Sequence, residues 1–376
     1  MSNYDNYWSP FNSSNANNSI EIVRGSGVYL YDNMNNQYLD AYSGLWNMHY
    51  GYDDEDIKSA IKKQLDILPY INPITLNTPI VGELSRVLCK ITDKGISKIV
   101  YTCSGSESVE AAIKISRKYH SLKGSKRNKI AVLEHSYHGN YYGSMSASAY
   151  EESFKDGYGP MLEGFVKLSI PFCRCCKTEN ISDNCKSIML DTLEKEINIY
   201  KDDLCAIMIE PVVASGGIIP LFKEYIQKID ELCKNNDILL ICDEVATGFG
   251  RTGNMFCFQK YNISPDLITL SKGINNGYLP LGAVCVAEKI DNEFSSKNEI
   301  LFHLSTQNGN PICVAAALAN IKKMEDNNVL ETISNIGDVI EKTLNKEIGS
   351  FKTVFEIRRA GLMFAIDLID VYSGLP

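Results

Sequence analysis

Short apolar runs alternate with longer amphipathic stretches through the middle of the chain. The runs are Ile99-Val100-Tyr101, Ile130 to Leu133, Cys205 to Ile209, Ile238 to Cys242 and Leu267 to Leu270. Near-continuous apolar strands of this length are buried on both faces, as in a mostly parallel sheet. Between them, Val109, Ala112, Ile113 and Ser116 fall on one face of a helix, as do Tyr225, Ile229 and Leu232. Such alternation predicts an α/β fold, a mostly parallel central sheet flanked by helices. Before it, Val28 to Tyr31 and Gln37 to Leu39 flank the turn-forming stretch Asp32 to Asn36, a hairpin signal. A helix is expected around Asp54 to Leu68. Another, from Ile312 to about Met324, leads into a small α+β tail. The predicted division is an N-terminal arm with part of a small domain (1–70), a large α/β domain (71–311), and a connecting helix with the rest of the small domain (312–376). There are no internal repeats and no low-complexity linker.

The balance of 37 basic against 46 acidic residues, net charge -9 over 376 residues, does not suit neutralising a phosphate backbone, which argues against nucleic acid as a partner. No apolar run is long enough to span a bilayer. The polar start of the chain lacks a signal-peptide pattern. Twelve cysteines in such a chain read as reduced thiols of a cytoplasmic protein. The densest group, Cys173, Cys175, Cys176 and Cys185, contains a C-x-x-C. Its irregular spacing and the lack of a nearby histidine count against zinc, and no metal is expected.

In open α/β sheets ligands bind beyond the carboxyl ends of the strands, so the residues there carry the chemistry. After Ile99-Val100-Tyr101 come Thr102 to Ser108, rich in small residues and opening a helix. Backbone N–H groups and the helix dipole would make this an anion cup, although an ordinary N-cap uses the same residues. Asp243 and Glu244 follow the fourth run. A carboxylate there either caps a helix, joins an ion pair or holds a cationic ring nitrogen. Ser271-Lys272-Gly273 follows the fifth run. Lys272 either snorkels to solvent or, desolvated, becomes a nucleophilic amine. Gly248 to Gly253 matches G-x-G-x-x-G, but it does not follow its strand at once and opens no helix, so a dinucleotide site is not expected.

Ile241 to Gly253, Pro265-Asp266-Leu267 and Ser271-Lys272-Gly273 together closely resemble the class III aminotransferases, pyridoxal-5'-phosphate (PLP) enzymes of fold type I. Further matching segments are Ser43 to Trp46, Ser104 to Glu107, His135 to Gly139, Glu210-Pro211 and Thr306 to Pro311. The resemblance implies that Lys272 holds the cofactor as a Schiff base and that Asp243 partners the pyridine nitrogen. It implies Gly105 and Ser106 as phosphate binders, Tyr137 stacked on one ring face and Val245 against the other. Glu210 would lie near the cofactor, and Trp46 and Tyr137 would line the substrate pocket. Thr306 is implied to reach the phosphate of a neighbouring subunit, hence a homodimer with shared sites. The Pro171 to Cys175 loop resembles a cysteine-bearing loop of some ω-amino-acid members.

The implied reaction moves an amino group from a primary amine or ω-amino acid to a 2-oxo acid such as pyruvate, in two ping-pong half-reactions. The family runs some tens of residues further, and the stretch in which many members place a substrate-carboxylate arginine is not in this sequence. A non-catalytic, PLP-binding or assembly-dependent relative is therefore the alternative, as is a PLP enzyme of another reaction type (aminomutase, racemase or decarboxylase). The presence of both Lys272 and Asp243 favours amino transfer.

Overall fold

The computed structural model describes residues 6–13, 20–92, 95–173, 176–326 and 328–369. Its first sheet is antiparallel, with β1 (Ile22–Ser26), β2 (Tyr29–Asp32) and β3 (Gln37–Leu39) in that order. Asp32 closes the expected hairpin, its Oδ1 accepting from the N–H groups of Met34 and Asn36 at 2.9 and 2.8 Å. A distorted turn, α1 (Ser43–Trp46), precedes the helices α2 (Glu55–Ile67) and α3 (Pro79–Thr92). Asp54 caps α2, accepting from the Ile57 N–H at 3.0 Å.

The central layer begins with β4 (Ile96–Thr102), α4 (Gly105–Leu122), β5 (Lys129–Leu133), α5 (Tyr142–Ala147) and β6 (Phe165–Leu168). It continues through α6 (Asp183–Tyr200), β7 (Leu204–Ile209), a small hairpin of β8 (Val212–Val213) and β9 (Ile219–Pro220), α7 (Lys223–Asn235), β10 (Leu239–Asp243), β11 (Leu267–Leu270), β12 (Gly282–Ala287) and α8 (Glu288–Ser296). Seven of these strands form one sheet in the order β4-β12-β11-β10-β7-β5-β6. All five apolar runs of the sequence lie in it. Every residue of β7, β10, β11 and β12 is buried, as the near-continuous apolar patterns require.

Two strands of this sheet, β6 and β12, escaped the sequence reading. β12 pairs antiparallel with both β11 and β4, while the other neighbouring pairs are parallel. Its connection from β11 is too short for a crossover helix, so the chain can only turn back. The Ser271 hydroxyl fastens that turn to the Leu281 carbonyl at 2.7 Å. Because β4 also opposes β12, β4 and the parallel strands end on the same edge of the sheet. The chain then runs through α9 (Pro311–Asp326) and α10 (Val329–Glu347) into an antiparallel pair, β13 (Val354–Ala360) and β14 (Met363–Leu368).

Candidate active site

The shared strand edge opens on a cleft of about 1340 Å³ whose lining includes Trp46, Tyr137, Tyr150, Arg251, Lys272 and Phe364. Asp243 ends β10, in register with Thr269 of the adjacent parallel β11, and Lys272 comes three residues after Thr269. The two groups singled out at strand ends are thus brought to one place. Lys272 does not snorkel away. Desolvation holds its ammonium below the usual lysine range, only partly opposed by Asp243 and Glu210, and Arg251 pushes the same way as burial. The Lys272 Nζ stands 5.2 Å from the centre of the Trp46 ring. The Lys272 backbone has φ +40°, a left-handed conformation that a long side chain adopts only when its surroundings impose it. Gly273 follows because a Cβ there would collide with the His49 ring.

Asp243 is buried and satisfied from several sides. Its Oδ1 accepts from the Thr269 hydroxyl at 2.9 Å and the Val245 N–H at 3.1 Å, and its Oδ2 from His138 Nδ1 at 2.7 Å. A carboxylate has about four lone-pair sites, so one further donor fits on Oδ2. Burial pushes the His138 imidazole down, but its hydrogen bond to Asp243 and the charges of Asp243 and Glu210 outweigh this, and its net shift is upward. His138 stood in a segment quoted for the resemblance, without a role. Its contact with Asp243 joins residues 105 positions apart and left no local signal. Glu244 turns the other way: its carboxylate accepts from the Thr247 hydroxyl at 2.5 Å and the Phe258 N–H at 2.8 Å, and holds the following turn together.

Glu210 is buried, and burial pushes its carboxyl up to about 7, with Asp243 adding to the shift. Its two oxygens accept from the Tyr137 and Ala214 N–H groups at 2.8 and 3.2 Å, tying the wall residue Tyr137 to the end of β7. At the start of α4, Ser104 caps the helix by accepting from the Glu107 N–H at 3.2 Å, so the plain N-cap reading is also realised. Gly105 is needed there, since a Cβ would lie 2.8 Å from Cγ1 of Val245. Ser106 Oγ accepts from the Asn140 N–H at 3.2 Å, and a Cβ on Gly139 would strike that oxygen. The start of an 18-residue helix and two glycine-thinned approaches make a cradle that suits a phosphate. Thr306 does not join this cleft. It is exposed, and its carbonyl accepts from the Tyr70 hydroxyl at 3.1 Å.

The G-x-G-x-x-G run forms turns and opens no helix, as expected. It contributes Arg251, a group the sequence reading passed over. Arg251 is buried against the cleft, and burial lowers its guanidinium to about 10. Its Nε and Nη2 have no hydrogen-bond partner among the described residues.

The family model for aminotransferase class III matches residues 11–373. The chain belongs to the class III aminotransferases. Its sequence is 34% identical to the adenosylmethionine-8-amino-7-oxononanoate aminotransferase of Staphylococcus aureus, over 98% of this chain and 84% of that one. It is 34% identical to the acetylornithine aminotransferase of Caldanaerobacter subterraneus subsp. tengcongensis, over 93% and 82%. Among solved structures it resembles a PLP-bound amine transaminase from an uncultivated Pseudomonas species, with a TM-score of 0.91 at 30% identity over 99% of this chain and 86% of that one. This class III aminotransferase has the fold of type I PLP enzymes, uses PLP and transfers amino groups between an amine and an oxo acid. The residues present fit that cofactor: an amine and a carboxylate on neighbouring strand ends, with an anion cradle beside them.

Proposed function

We propose that the chain transfers the amino group of a primary amine or ω-amino acid to a 2-oxo acid such as pyruvate, with Lys272 and Asp243 as the central pair. When bound, PLP supplies an aldehyde that links to amines and a ring that accepts electrons from the substrate carbon. Lys272 is the group that would hold that aldehyde and carry the proton at the reacting carbon, through a desolvated Nζ at the cleft. Asp243 would keep the ring nitrogen protonated, itself oriented by His138 and Thr269. Gly105 and Ser106 would bind the phosphate, Tyr137 and Val245 would press on opposite ring faces, and Glu210 would position Tyr137. Trp46 and Tyr137 would shape the substrate side, and Arg251 would take a substrate carboxylate.

The single observation that carries this reading is the placement of Asp243 and Lys272 on adjacent strand ends beside one cleft. Its breadth and aromatic lining, including Tyr150, Phe154 and Phe364, suit a substrate with an apolar body. Both relatives named above are aminotransferases. The homodimer is part of the same proposal. Thr306 is exposed, and Ile300, Phe302 and Leu304 just before it are 76%, 89% and 56% exposed, an apolar stretch that a second copy would cover. The division at residues 70 and 311, with α9 as the link between the large and small domains, belongs to the same proposal. A cytoplasmic location, expected from the cysteine usage of the sequence, belongs to the same proposal.

The test is a panel of nitrogen-15-labelled amines and ω-amino acids offered with pyruvate and with 2-oxoglutarate. Label appearing in alanine or glutamate supports the proposal. Consumption of amine with no labelled amino acid would mean a PLP reaction of another type.

A further inference from the structure

Outside the cleft, the described residues hold one cluster of metal-ligating side chains. Cys173 follows β6 by five residues, Cys176 comes three residues later, and Cys185 stands in the first turn of α6. The Ser182 cap of α6 accepts from the Cys185 N–H at 3.3 Å and so turns that side chain back towards the loop. The Cys185 sulfur is 3.7 Å from the Cys173 sulfur and 3.7 Å from the Cys176 sulfur. The ligand atoms of all three lie within 4.8 Å of one another, and each residue is partly buried.

These separations are far too long for a sulfur–sulfur bond of about 2.05 Å. They match another geometry. A tetrahedral zinc–thiolate site has Zn–S near 2.3 Å, which sets neighbouring sulfurs about 3.8 Å apart. The sequence spacing, C-x-x-C and then a third cysteine at the start of a helix, gives one knuckle and one returning ligand. Read as a string the spacing looked irregular, because the chain between 176 and 185 folds back on itself. Cys175, the fourth cysteine of this group, lies outside the described residues.

We propose that Cys173, Cys176 and Cys185 bind one Zn²⁺ as thiolates, with the fourth tetrahedral position left to a further donor. Binding releases the thiol protons to solvent and involves no change of oxidation state. The role is structural. The same loop carries Thr178, whose N–H and hydroxyl both bind the Glu356 carboxylate of β13. Glu356 pairs with Arg358 at 3.1 Å, and Arg358 Nε donates to the Gly217 and Ile218 carbonyls at 3.1 and 3.2 Å. Ile218 lines the cleft. A metal closing the loop therefore fixes a chain of contacts running from the surface to the cleft wall.

The experiment uses the full-length holoenzyme, expressed with zinc in the medium and purified without a metal-affinity column. Elemental analysis is expected to find about one zinc per chain and no stoichiometric iron. Cys173→Ser and Cys185→Ser should each cut the zinc content by about tenfold or more. Both variants should also lower Tm while keeping the PLP absorbance of the parent. If the variants do not fold, the parent decides: a strong chelator should remove the zinc and lower Tm, and Co²⁺ added back should produce thiolate-to-metal charge-transfer absorption. Metal-free holoenzyme whose three thiols react freely, a disulfide between any two of them in non-reducing peptide mass spectra, or iron in place of zinc would each overturn the assignment.

Discussion

His138 Nδ1 lies 2.7 Å from Oδ2 of Asp243, with both side chains buried. The carboxylate at the end of β10 is therefore already hydrogen-bonded within the protein and is not left without partners when it faces a cationic ring nitrogen. The pair joins two segments that share no sequence pattern, and it accounts for two of the expectations below.

Asp243→Asn removes the charge that a protonated ring nitrogen would meet. Breaking one side of a buried ion pair costs about 3–5 kcal/mol. PLP affinity is thus expected to fall on the order of 10²-fold or more, with turnover reduced alongside it. Fluorescence titration of the apoenzyme with PLP measures the first and steady-state assays the second; near-parental values in both would remove Asp243 from the proposed role.

The His138 imidazole carries a direct pH signature. Its folded-state pKa is raised above its ordinary value. Protonated His138 therefore adds stability that is complete below a pH of about 6.5 and is lost as pH rises through the folded-state value. The gap in Tm between the parent and His138→Asn should be widest in mild acid and shrink as pH rises through the raised folded-state value. A gap that widens with pH would reverse the sign and exclude a charged imidazole beside Asp243.

Lys272→Ala should keep the fold, since the side chain lines a cleft, but lose the visible absorbance of the lysine-bound cofactor. A positioned proton carrier contributes about 10²–10⁴-fold, and turnover should fall at least that far. Retention of the parental absorbance maximum would show that another amine holds the cofactor.

Arg251 has two buried nitrogens without partners among the described residues. If they bind a substrate carboxylate, Arg251→Gln should raise KM for carboxylate-bearing substrates by about 10- to 100-fold, the worth of hydrogen bonds to a charged group. A simple aryl-alkyl amine as donor should be much less affected. Equal losses for both donor types would point to a general packing role.

Thr306 is exposed and is not among the residues that line the cleft of its own chain. Thr306→Ala is expected to weaken PLP binding while leaving the dimer intact, because the lost hydroxyl would serve the partner's site. Sedimentation velocity with PLP titration checks both. Full activity in a monomer would remove the shared-site reading.

Much of this arrangement was legible beforehand. The five apolar runs marked five strands of the sheet because a strand buried on both faces has no room for polar alternation. Lys272 and Asp243 were legible for the same reason: polar residues directly after such runs must emerge at the sheet edge. β12 was missed because its direction depends on the short Ser271–Leu281 turn and not on its own composition. Arg251 was passed over because its segment was judged by its glycine spacing, and His138 because only the distance to Asp243 gives it a task.

What the sequence determined by itself is the family, the α/β layering and the position of Asp243 and Lys272 at two neighbouring strand ends, all of which rest on local patterns and short motifs. Only the tertiary structure decided which side chains meet across long separations: His138 with Asp243, Arg251 with the cleft, and Cys185 with Cys173 and Cys176. The physical reason is that burial and hydrogen bonding depend on distance in space, and a chain encodes that distance only through the packing of all its elements together.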